Sequence, residues 1–325
     1  MTWRIRPFHR RYSQARTDTY RMLKDQSYWL HKLATLQIDR SRGDPAPHKP
    51  FLLLVILEMA DRGEIAGTEL PLSPDIAFRF SLFNSVIAER QRPPLELRLP
   101  FHHLKTSGIW LPLMADGKPS PHRNLTTKVR FDPSFLDCLS DPAFRDKAKR
   151  VLIETPPYFH AEEQIALFAM LRIEPTRADM AGKAGALYTA PSERGRDARF
   201  RIEVVVVAYK HTCALTGYRM TTVDMESIVD AAHIHAFSDS RNNDPRNGIA
   251  LCKNAHWQFD RGLWSITDNY RVIVNREKFL EEGVPGQKLS DFEGHRLFLP
   301  SDPKYWPEQT HLGWHRDRRF VATRS

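Results

Sequence analysis

The apolar positions of this chain change period along its length, and each change marks an element. In residues 27–42, Tyr28, Trp29, Leu30, Leu33, Leu36 and Ile38 recur at near-helical spacing, which predicts a helix ended by the Gly43–Pro47 break. Residues 48–63 are apolar all round, with Pro50 suited to a first turn and Gly63 to the end, so they predict a central buried helix. Residues 77–90 place Phe78, Leu82, Phe83 and Val86 on one side of another helix. After Pro93-Pro94, Leu95, Leu97 and Leu99 alternate with Glu96 and Arg98, the pattern of a half-buried strand. Residues 109–111 are its expected partner, with Gly108 in the turn. A charged helix is expected over 141–154, stopped at Pro156-Pro157, and a short one over 161–172 with Ile165, Phe168 and Leu171 on one side. Residues 178–198, rich in Ala, Gly and charge, read as a linker or as an Arg-rich clamp through Arg194, Arg196 and Arg199.

The chemistry concentrates further on. A short apolar run holds His233, residues 238–246 are turn formers, a second apolar run follows Asn247-Gly248, and 253–261 suits a short helix carrying His256 and Asp260. The order is strand, loop, strand, helix. Residues 263–274 then predict a hairpin with Asp268-Asn269 in its turn.

The flanking residues follow one pattern: Ala208-Tyr209 before Cys213-Ala214-Leu215-Thr216-Gly217, then Ala232-His233-Ile234, Asn247-Gly248, Leu251-Cys252, and His256 followed by Phe259-Asp260-Arg261-Gly262-Leu263. Over roughly Phe200 to Asn275 this resembles the HNH nucleases, whose site is a ββα-metal finger. The resemblance implies that His233 is the general base, that Asn247 orients the base and fastens the loop, and that His256 is a metal ligand. It also implies a helix over 200–210, although Val204–Val207 alone has strand propensity. Asp260 lies four residues beyond His256 and shares its helix face. The pair can hold one divalent ion, Mg²⁺ or Mn²⁺ by its donor types. Many HNH enzymes carry an acidic residue or a second His just before the base; here that position is Ala232. A further ligand is then expected from Asp230, from His235 or from water. Cys213 and Cys252 each lack the second Cys of a Cys-x-x-Cys pair, so no structural four-Cys zinc site is expected, and both read as small buried residues.

A second resemblance covers residues 27–145. His48-Lys49-Pro50 before a Leu-rich helix, then Pro100-Phe101 with Leu104, and Gly108 with Trp110, look like the sulfur-binding domain of phosphorothioate-dependent restriction endonucleases. That family places this domain ahead of an HNH domain. The resemblance implies recognition of DNA with one non-bridging phosphate oxygen replaced by sulfur, in a shallow apolar pocket to which Pro100 corresponds. Leu99 stands where an aromatic residue is common, and His103 where a small one is common. His48, Lys49, His102, Lys105 and Arg123 are candidates for phosphate or base contacts, Arg123 from its place in a basic polar loop. Phe101 and Trp110 are expected to pack a core.

Composition narrows this picture without creating it. The 325 residues suffice for two cores, and 41% hydrophobic content describes a globular chain. A formal charge of +9 and a pI of about 9.5 suit a polyphosphate partner. No apolar run is long enough to span a bilayer, so no membrane partner is expected. Three cysteines without a disulfide framework, and a start without a secretory signal, lead to an expected cytoplasmic residence. The expected fold class is α+β: a basic arm (1–26), a mixed helix/hairpin DNA-binding domain (27–150), a helical linker (151–198), an HNH ββα-metal domain (199–300) and a solvated basic tail (301–325). The function expected is a modification-dependent endonuclease acting on phosphorothioated double-stranded DNA, with a homodimer on DNA to cut both strands. The alternatives are an HNH nuclease reading another mark, such as a methylated base, and a non-catalytic DNA-binding protein with a decayed finger.

Overall fold

A computed structural model describes residues 24–39, 45–86, 96–155, 158–174, 189–222 and 224–321. The basic arm up to residue 23, Leu95 of the expected strand, residues 175–188 of the expected linker and Arg324 of the tail lie outside them.

The first half is organised around a buried helix. Helix α1 (Gln26–Ala34) is capped by the Asp25 carboxylate, which accepts from the Tyr28 N–H. Helix α2 (His48–Asp61) is buried from Pro50 to Met59, as its uniform apolarity predicts, and Gly63 closes it at φ +70°. Strand β1 (Glu69–Pro71) leads to α3 (Pro74–Ser85), which Ser73 caps. Residues 98–103 form helix α4 (Arg98–His103), not the expected strand. The alternation of Leu97 and Leu99 was overridden by tertiary pairing: strand β2 (Trp110–Leu113) takes its partner from strand β3 (Lys128–Phe131), and the sheet order is β1-β3-β2, all antiparallel. Helices α5 (Pro133–Ser140), α6 (Pro142–Glu154) and α7 (Ala161–Leu171) complete the core. Phe101 and Trp110 are both buried, and the indole N–H of Trp110 donates to the Phe101 carbonyl at 3.0 Å.

The two halves share one helix. Helix α8 (Thr189–Arg201) continues as a π-helical stretch, Ile202–Ala208. Ala198, Ile202 and Val206 belong to the first core; Phe200, Val204, Val205 and Ala208 belong to the second. The Val run that has strand propensity is therefore helical because it faces two cores at once. Residues 158–171, expected in a linker, contribute Tyr158, Phe159, Leu167 and Phe168 to the first core.

Buried charge reinforces this junction. Glu203 accepts from Arg62 of α2 at 2.6 Å and from Arg199 at 2.8 Å. Glu58 pairs with Arg62 and with the fully buried Arg79. Arg199 is thus committed to an internal ion network rather than to a DNA clamp.

Beyond it, β4 (Val229–His233) leads through a short helix, α9 (Phe237–Ser240), to β5 (Gly248–Cys252) and α10 (Lys253–Asp260). Strands β4 and β5 pair antiparallel with His233 opposite Gly248. The hairpin of β6 (Trp264–Ile266) and β7 (Val272–Val274) follows, as predicted. The tail is not a solvated end: α11 (Gln309–His315) buries His311, Leu312 and His315, and a π-helical turn, Arg316–Phe320, extends it. No helix among the described residues is long and apolar enough to cross a membrane.

Candidate active site and basic cluster

The β4–β5–α10 unit brings His233, His256 and Asp260 to one cleft of about 390 Å³, together with Ala231, Ala236, Phe237, Trp314, His315 and Arg319. His233 ends β4 and stacks on Phe200, with ring centroids 3.9 Å apart and planes within 9°. The stack needs Gly248 across the hairpin: a Cβ there would meet the Phe200 ring at 2.7 Å and Val204 at 2.5 Å. That is the physical reason for a glycine after Asn247.

The His233 Nε2 lies 2.9 Å from the Asn243 Oδ1. An amide oxygen only accepts, so the ring carries its proton on Nε2 and leaves Nδ1 as the basic nitrogen. Burial pulls the His233 pKa below the usual histidine value, and the Asn243 bond partly offsets it. The imidazole is therefore neutral at neutral pH, the state a general base requires.

Asn247 is tied into the loop. It is fully buried; its Oδ1 accepts from the His235 N–H at 2.8 Å, and its Nδ2 donates to the carbonyls of His235 and Asn242, each at 3.0 Å. It fastens the loop, while Asn243 is the residue that holds the His233 ring. Asn243 is one of several turn formers in its loop, so no sequence signal singled it out.

His256 and Asp260 lie one turn apart on α10, with Nε2 and Oδ2 3.5 Å apart, both partly exposed. An imidazole and a carboxylate converging on an open cleft fit a divalent cation whose other positions go to water and phosphate oxygens. No group of three or more His, Cys, Asp or Glu side chains placed to hold a metal occurs among the described residues. Asp230, expected as a further ligand, is three residues before His233 on a strand and so falls on the opposite face. There it makes a two-pronged bond to Arg201, 2.9 Å to each oxygen, and lines a separate cleft. His235 stacks on Trp314 at 4.2 Å instead. Ala232 is fully buried. Cys213 and Cys252 sit with sulfurs 3.7 Å apart, and Cys213 is fully buried.

The C-terminal helix is the contribution that sequence reading missed. His315 is buried against Phe259, rings 3.7 Å apart, donating from Nε2 to the Phe259 carbonyl (3.0 Å) and accepting at Nδ1 from the Ser265 hydroxyl (2.8 Å). Both ring nitrogens are satisfied in the neutral form, and burial pushes the pKa down to about 4. Gly262, at φ +62°, admits this helix: a Cβ would stand 2.0 Å from the Arg319 carbonyl oxygen.

The other set of predicted residues lies in the first half. Burial first, then the nearby charges of Lys105, Lys49, Arg123 and His122, lower the His103 pKa. His48 opens α2, and Lys49 beside it reaches the Thr106 hydroxyl at 3.3 Å. Arg123 pairs with Glu96 at 3.3 Å. His102 does not belong to this exposed set. It is 2% exposed, accepts from the Lys105 ammonium at 2.7 Å and donates to Thr126 at 2.8 Å. It positions Lys105 rather than facing DNA, and burial holds its pKa down to about 4. Pro100 is buried in α4, while Leu99 stays partly open. Leu99 is therefore an accessible apolar side chain at this place.

Residues 213–267 match the family HNH_2, described as HNH endonuclease. No curated protein matches this chain. Among solved structures, a similar chain is the modification dependent TagI restriction endonuclease, at 22% identity and a TM-score of 0.28, with 37% of each chain covered. At that TM-score the likeness carries no argument. The family match and the ββα geometry together make residues 213–267 an HNH endonuclease domain.

Proposed function

We propose that this chain is a modification-dependent restriction endonuclease of the cytoplasm, which docks on phosphorothioated double-stranded DNA through its first half and hydrolyses a nearby phosphodiester at the HNH cleft. The convergence of His233, His256 and Asp260 on one cleft carries the hydrolytic part. His233, neutral and with Nδ1 free, takes the proton from the attacking water. Asn243 keeps that tautomer, and Asn247 keeps the loop that carries Asn243. His256 and Asp260 would hold Mg²⁺ or Mn²⁺, which when bound supplies positive charge to the leaving oxygen.

The choice of phosphorothioate rests on the resemblance of the first half, supported by the cluster of Lys49, His103, Lys105 and Arg123 beside Leu99. A sulfur is larger, softer and less hydrated than oxygen. An apolar side chain amid cations accepts it, whereas an oxygen placed there loses water without return. One finger cuts one strand, so double-strand cleavage calls for two copies on the duplex. Gel filtration with modified DNA then yields a 2:1 complex, and a 1:1 complex alone counts against it.

The test uses the full chain with His233→Ala, which should bind without cutting. Two matched duplexes, one phosphorothioated, are titrated across a salt series. A preference for the modified duplex that persists at high salt supports the sulfur. Equal affinities that fade together leave only phosphate charge being read, and the sulfur is then abandoned. For the chemistry, wild-type protein with Mg²⁺ or Mn²⁺ should cut modified plasmid, and EDTA should stop it.

A further inference from the structure

The C-terminal helix carries an unpaired cation to the nuclease cleft. Arg319 lines that cleft with His233, His256 and Asp260. Its side chain is exposed, and among the described residues its guanidinium has no ion pair and no hydrogen bond; the Trp314 ring lies 5.8 Å away. Arg316, one turn earlier, is by contrast spent on the Ile266 carbonyl (2.7 Å) and Asp268 (2.6 Å). The backbone that carries Arg319 is held firmly. Lys278 donates to its carbonyl at 2.5 Å, Asn275 donates to the Phe320 carbonyl at 2.9 Å, and Gly262 lets the chain approach closely. A fixed backbone with an uncommitted guanidinium at a reaction cleft is the arrangement expected of a group that waits for an anion.

The chemistry leaves a role for it. Attack of water on the phosphodiester builds negative charge on the non-bridging oxygens, while the His256–Asp260 pair is placed for a cation. A guanidinium presents two parallel N–H donors matched to two phosphate oxygens, and in a partly enclosed cleft such donors act most strongly where charge develops. We infer that Arg319 is a catalytic residue that contacts the non-bridging oxygens of the scissile phosphate. No bond to it forms or breaks; it holds charge while His233 takes the proton. This rests on the nuclease reading of the cleft.

Full-length wild type, His233→Ala, Arg319→Ala and Arg319→Lys are compared on cleavable DNA with Mg²⁺ or Mn²⁺. Arg319→Ala lowers kcat about 100-fold, with KM within about threefold. Arg319→Lys recovers about tenfold of that loss, because the charge returns without the fork. The Ala variant melts with the wild type, since the anchors of the strap are backbone groups. In metal-free protein, the slope of log affinity against log salt for a short duplex falls by about one. Wild-type kcat in Arg319→Ala, with wild type active and His233→Ala dead, overturns the inference and spares the nuclease reading. An inactive wild type overturns both.

Discussion

The two ionic sites of this molecule are built on opposite plans. The nuclease cleft takes His233, His256 and Asp260 from one hairpin and the helix after it, and His233 is held by the buried Phe200 ring and by Asn243, whose loop the buried Asn247 fastens. The basic cluster gathers Lys49 from α2, His103 and Lys105 from around the end of α4, and Arg123 from the turn before β3. His103 and Lys105 are exposed, Lys49 and Arg123 partly so, and the buried His102 supports Lys105 from beneath. A site that performs chemistry needs fixed geometry. A site that reads a polyanion needs only charge at roughly the right place. Loss of one residue should therefore act as a switch in the first site and as a gradation in the second.

The sharpest break in that comparison is His233→Ala. We expect cleavage to fall about 1,000-fold or more with DNA binding retained, as a plasmid assay and a gel shift would show. A variant that still cuts would mean that the cleft does not depend on one base. Next come the two asparagines. Asn247→Ala removes three part-buried hydrogen bonds that close the loop and should cost about 3 kcal/mol of stability, seen as a fall in the denaturant midpoint. Asn243→Ala should leave the midpoint nearly unchanged and lower kcat about tenfold. Since the Asn243 bond raises the His233 pKa, its loss moves the acid limb of the pH–rate profile to lower pH. Equal stability losses in both variants would erase the distinction between loop fastener and base holder.

His315 offers a pH test of the scaffold. Its folded pKa is depressed from 6.5 to about 4, so the unfolded chain binds the proton more readily. Its contribution to stability is complete above about pH 6.5 and is lost as pH falls toward 4, amounting to about 3 kcal/mol. A His315→Gln variant whose stability declines over that window as steeply as the wild type would refute this assignment. The smallest effects belong to the basic cluster. Lys105→Ala and Arg123→Ala should each weaken DNA binding a few-fold and reduce the salt slope by about one, additively. All-or-none loss from either would show a site as rigid as the cleft.

The unequal legibility of the two sites has the same origin. The ββα unit could be read from residues close in sequence, because strand register and helix periodicity alone carry His233 to the hairpin and set His256 above Asp260. The identity of the base holder could not be read, since Asn242, Asn243 and Asn247 are chemically equivalent until the loop closes. The strand expected at 95–99 failed because its alternation was real but its partner was not: β3, far along the chain, claimed β2. The tail was read as solvated because its arginines dominate its composition, while Leu312 and His315 decide its packing.

What the chain determined by itself was the local chemistry: a buried apolar helix at 48–61, a ββα order with His233 on its hairpin and one His–Asp pair on its helix, and a basic balance. Tertiary structure decided which groups meet. It turned Asp230 away to Arg201, paired His233 with Asn243, made α8 common to two cores, and brought Arg319 to the cleft. Periodicity specifies the face of an element that is buried, but a contact between distant elements is selected only when burial and hydrogen bonding are satisfied throughout the fold.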